Sequence, residues 1–178
     1  MSDTEFANFM SRQRPVATQE QTVIDWEAQK NEWLTYIDNL YKSVDSFLKE
    51  YIESGQVVVS YSDRELTEDD IGRYQVRVMH LTIGSNLIAL IPVGTMLIGT
   101  KGRVDMAGPR GTVRLILADK DSEGFKVRIR HANVPKPEEP PPSINWEWKI
   151  IVENAPLPRF ERLEQDSFLK AIIKISNA

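Results

Sequence analysis

Apolar side chains at Val23, Trp26, Trp33, Ile37, Leu40, Val44, Phe47 and Tyr51 alternate three and four residues apart, and only Lys30 breaks the series. That spacing is the period of one face of an α-helix, and it constrains the fold more than any other feature of the chain. Thr18 with Gln21 three residues on makes a capping box that starts the helix. Gly55 supplies the residue that follows a helix C-terminus in left-handed conformation. Leu34, Tyr41 and Leu48 widen the stripe toward that of a core-facing bundle helix.

A helix over residues 18–54 would be roughly 50 Å long. A domain made from the rest of the chain would be about 30 Å across. On that arithmetic part of the stripe overhangs and needs a covering surface. Trp26, Trp33, Ile37, Leu40, Val44 and Phe47 are therefore the expected interface, with a second copy of the chain or a protein partner. A kink that lays the helix back on its own domain is the alternative.

After Gly55 the period shortens to that of strands. Val57–Tyr61 is a short β-branched run, and 62–72 reads as a polar acidic connection. Tyr74–Ile83 alternates cleanly, and Gly84-Ser85-Asn86 turns it into Leu87–Ile91. Pro92-Val93-Gly94 makes a second turn, Thr95–Thr100 a third strand, and Gly102–Met106 its continuation past a bulge. Thr112–Ala118 and Phe125–His131 form a further pair, and Ile144–Glu153 alternates again. From Phe160 to Ile173 apolar residues return to helical spacing.

These signals add up to an α+β fold. Its centre is an antiparallel sheet of about six or seven strands, curled or closed into a small barrel, flanked by a long N-terminal and a C-terminal helix. The organisation expected is a loose arm over 1–17, the helix over 18–54 and a β core over 56–133. A proline-rich spacer over 134–143 and an added strand with helix over 144–178 complete it.

The net charge of −4 conceals a separation. Residues 18–54 carry a balance of −5 and residues 55–71 one of −4, whereas residues 72–131 carry +6. A basic sheet can attract phosphate. Lys101, Arg103, Arg110, Arg114 and Arg128 are accordingly candidates for contact with nucleic acid or a phosphorylated ligand. Neutralisation of the sheet by the acidic helix is the simpler reading.

Motifs for catalysis are missing. The glycine-rich stretch from Gly99 to Gly111 has neither the P-loop nor the dinucleotide spacing. The chain has two histidines, His80 and His131, and neither has carboxylates at a metal-ligand spacing. Asp69, Asp70 and Arg73 are the one charged cluster that could be offered as a site. The absence of cysteine excludes disulfides, thiolate metal centres and cysteine nucleophiles, and suits a cytoplasmic setting. The longest apolar run, Leu87–Gly99, is too short to span a membrane. The expectation is a non-catalytic interaction protein without cofactor or metal, with nucleic-acid binding as the alternative.

Overall fold

The computed structural model describes residues 24–95, 100–124, 144–153 and 158–177. Seven strands, β1 (Val57–Glu68), β2 (Gly72–Ile83), β3 (Asn86–Gly94), β4 (Gly102–Gly108), β5 (Gly111–Asp119), β6 (Trp146–Val152) and β7 (Arg159–Arg162), lie side by side in chain order. All neighbours are antiparallel, and β1 and β7 form the two edges of an open sheet. Helices α1 (Trp26–Phe47), α2 (Lys49–Glu53) and α3 (Gln165–Ile175) complete the described elements. The fold is α+β with a curled antiparallel sheet, as the periodicities imply.

Helix α1 starts later than the capping box at Thr18 suggests. Asp25 is its N-cap, with extended backbone (φ −79°, ψ 91°) and a carboxylate accepting from the Ala28 N–H. Its 22 residues span about 33 Å, close to the width of the domain rather than beyond it. The chain leaves helical geometry at Leu48, and α2 is capped by Ser54 and followed by Gly55, whose positive φ of 74° is the expected glycine termination.

Strand β1 is longer than its apolar content suggests. Residues 62–68, expected as a connection, pair with β2 in unbroken register from Val57↔Ile83 to Glu68↔Gly72. An edge strand has one open side, so its ladder tolerates the polar residues that a central strand would exclude. Pro92 likewise belongs to β3, at a register shift between Pro92 and Gly94. Phe160 lies in β7, and the C-terminal helix begins only at Gln165. The expected strand Phe125–His131, the spacer, the arm, the capping box at Thr18 and most of the expected strand Thr95–Thr100 lie outside the described residues.

The core lies between α1, α3 and one face of the sheet. Trp33, 1 % exposed, stacks against Trp148 of β6 with ring centroids 6.0 Å apart. It also lies over Gly102, where a Cβ would overlap its ring. Phe47 meets Phe168 of α3 at 5.7 Å.

Two side-chain contacts shape the curl. Strands two places apart in a flat sheet, as β1 and β3 are, are separated by roughly 9–10 Å. Yet Glu68 at the tip of the β1–β2 hairpin accepts hydrogen bonds from both the N–H and the hydroxyl of Thr95, just past β3, at 2.8 Å each. The hairpin tip therefore folds over the sheet. Where β2 departs from β3, beyond the pair Met79↔Leu90, the Tyr41 hydroxyl donates to the carbonyls of Arg77 (2.6 Å) and Leu90 (3.3 Å). Core-facing residues of β2 change parity at this point, from Met79 and Leu81 to Tyr74 and Val76.

Candidate functional site

The helical stripe is consumed inside the chain. Trp33, Ile37, Leu40 and Val44 are buried in the domain's own core, and half-buried Phe47 packs on Phe168. Of the expected interface residues only Trp26, half-buried in the first turn of α1, stays outside that cluster, and Tyr51 at the far end of the stripe is exposed. The overhang inferred from a 37-residue helix does not occur in α1, because the Asp25 cap shortens the rod to the size of the sheet it lies on.

Three of the basic candidates are already paired with carboxylates, and the register Asp105↔Arg114 puts Arg103 and Arg114 on the same outer face of the sheet. Lys101 forms an ion pair with Glu32 of α1 at 2.6 Å, and its ammonium lies over the rings of Tyr36 (5.7 Å) and Trp146 (5.5 Å). Arg103 holds Asp105 through two nitrogens, at 2.6 and 2.7 Å. Arg114 holds Glu153 at 2.8 Å. Arg110 is exposed in the β4–β5 turn, where its backbone N–H donates to the Ile175 carbonyl. Arg128 lies outside the described residues. Pairing with carboxylates lowers the positive potential that a phosphate would meet.

Three polar arrangements were not evident in the sequence. Glu68 accepts from the Tyr74 hydroxyl as well as from Thr95. Burial and this carboxylate push the tyrosine's pKa well above its ordinary value. The cluster is tied into the fold and joins two strands. Next to it, Asp25, Gln29, Glu32, Thr100, Lys101 and Trp146 line a cleft of about 430 Å³, whose cation is already paired.

The second arrangement is Ser62 Oγ, 2.7 Å from His80 Nε2. This is the distance of a nucleophile–base pair, but both lie on neighbouring strands of the sheet and Ser62 is exposed. Among the described residues no carboxylate hydrogen-bonds the imidazole to orient it as a base would need. The third is Lys149, 5 % exposed, whose ammonium donates to the carbonyls of Lys120 (2.7 Å) and Ser122 (2.5 Å) and so fastens the loop after β5. Asp69, Asp70 and Arg73 are exposed at the hairpin tip and line none of the clefts above. Among the described residues no three His, Asp or Glu side chains form a metal-holding group.

The edge of the sheet presents a different kind of surface. β1 is an edge strand, and β2 is its one hydrogen-bonded strand neighbour among the described residues. Its first six, Val57–Ser62, carry no charge. Val58 is 57 % and Tyr61 43 % exposed. Beside this edge, Asp45 and Lys49, Ile52 and Glu53, and Val59 and Tyr61 line a groove of about 420 Å³. These residues come from α1, α2 and β1 alone, so the groove lies at the rim of the sheet. Tyr61 is held by the Tyr41 ring at 5.9 Å and by the Arg77 guanidinium 5.1 Å above it, and Arg77 is anchored to Asp38 at 2.7 Å. Partial burial pushes the Asp45 carboxyl above the usual carboxylate range.

Comparisons with protein-family models, with curated proteins and with solved structures each find no match.

Proposed function

We propose that this protein is a non-catalytic protein-interaction module that binds through the open edge of β1. The observation that carries the reading is a twelve-residue edge strand whose first half has neither charge nor proline. Such an edge is a template for another strand, and soluble proteins usually blunt it with charge, bulges or a covering segment. Here Asp63, Arg64 and Glu65 guard only the second half. An extended segment from another chain would gain main-chain hydrogen bonds along the edge and side-chain pockets beside it. A cytoplasmic setting suits a chain without cysteine, and no described helix is long and apolar enough to cross a membrane.

Proline substitution tests the proposal. In an antiparallel edge strand, alternate N–H groups point away from the neighbouring strand. One of Ser62→Pro and Asp63→Pro therefore spares the ladder with β2 and blocks the outer edge. The variant that keeps its melting temperature should lose a partner co-purified with the full chain from the native host. Retention of that partner by this variant would contradict binding through the edge.

A further inference from the structure

Building on that reading of the β1 edge, we infer that the occupant is an extended peptide segment of another protein carrying a lysine or arginine flanked by apolar residues two positions to either side. The chemistry of the groove selects it. Ile52, Val59 and Tyr61 supply apolar walls, and Asp45 lies among them. No hydrogen-bond donor and no cation within ion-pair distance serves the Asp45 carboxylate among the described residues. Lys49, one helical turn away on the same groove, leans instead toward Glu53 at 3.9 Å.

A peptide added to β1 would lie about 4.8 Å from it, and every second side chain would face the helices. Three successive inward side chains would then meet the groove. The central one finds a partly desolvated carboxylate, where a cation is attracted more strongly than in open water. The outer two find aliphatic and aromatic surface.

The same charges argue against a second copy of this chain as the occupant. Its β1 would bring Asp63, Glu65 and Glu68 against Arg64 alone, to a groove that already holds an unpaired acid. The described residues of α1, α2 and β1 carry more acidic than basic side chains, which extends the preference for a basic partner.

A phage-displayed library of random dodecapeptides, panned against the full chain at low salt, tests the inference. Recovered peptides are then resynthesised and measured by fluorescence anisotropy and amide hydrogen exchange. The expected peptides carry the apolar–x–Lys/Arg–x–apolar pattern and slow exchange of the outward amides of β1. They should bind Asp45→Asn about tenfold more weakly, a loss of about 1.4 kcal/mol. Peptides that protect β1 without a basic preference, or that ignore Asp45→Asn, overturn this inference and leave the edge reading standing. Peptides that protect some other surface, or a library that yields no binder, overturn both.

Discussion

At the scale of single residues, the molecule keeps two kinds of polar group out of water, and they behave oppositely. Tyr41 and Glu68 are fully engaged, and each closes a gap that the sheet's curl opens. Removing the Tyr41 hydroxyl strands two carbonyls, so Tyr41→Phe should cost about 1–3 kcal/mol in denaturant unfolding. Four of the five tyrosines, Tyr36, Tyr41, Tyr61 and Tyr74, have pKa values raised above 10, first by burial. Their neutral forms favour the folded state fully below pH 10, and that contribution is lost as pH rises through the higher folded values. Stability should therefore decline in strong alkali, with the Tyr41 and Tyr74 phenolates appearing in a near-ultraviolet titration only as the protein unfolds.

Asp45 is the contrasting case. Its carboxyl is also raised by burial, so its contribution is most favourable below the ordinary value of 3.8 and is lost as pH rises through the folded one. Asp45→Asn should raise the denaturant midpoint at neutral pH, and the difference should vanish in acid. A midpoint lowered at neutral pH would show that a cation already serves the carboxylate. A group that weakens the free protein and faces an open groove is what a binding residue would look like. Its position inside a helical stripe gave no signal of this in the sequence, because its setting depends on β1, which meets it only in the fold.

At the scale of elements, periodicity was a good guide wherever one face of an element is buried and a poor one at the edges. β2, β3 and β5 lie close to where their apolar spacing predicts. β1 runs seven residues past Tyr61 because an edge strand needs a partner on one side only. The start of α1 was displaced because Asp25, not Thr18, caps the helix. The loop after β5 owes its anchoring to Lys149, whose burial the alternation of Ile144–Glu153 does not signal. Lys149→Met should leave the Lys120 and Ser122 carbonyls unserved at a cost of about 1–3 kcal/mol, and limited proteolysis should cut the loop faster. Unchanged cleavage would mean that the loop holds itself.

At the scale of the whole molecule, the described helices cover one face of the sheet, and the apolar stripe of α1 serves the core between them. The stripe was legible as buried surface, but not whose surface buries it: length arithmetic favoured a second molecule, and the Asp25 cap with the Gly102 notch under Trp33 brings the helix onto its own sheet. Trp33→Ala should consequently cost about 3–5 kcal/mol of stability. It should leave the sedimentation coefficient of the folded protein unchanged, whereas a stripe used for assembly would dissociate. The candidate surface lies instead on an edge that no sequence pattern marked, because openness is a property of sheet order.

Residue-resolved amide hydrogen exchange of the free monomer by NMR tests the availability of that edge most directly. Every second amide from Val57 to Arg64 should be protected by β2, and the alternate ones should exchange nearly as fast as an open chain. Uniform protection of all β1 amides in the monomer would show the edge already covered, and would contradict a strand-binding role.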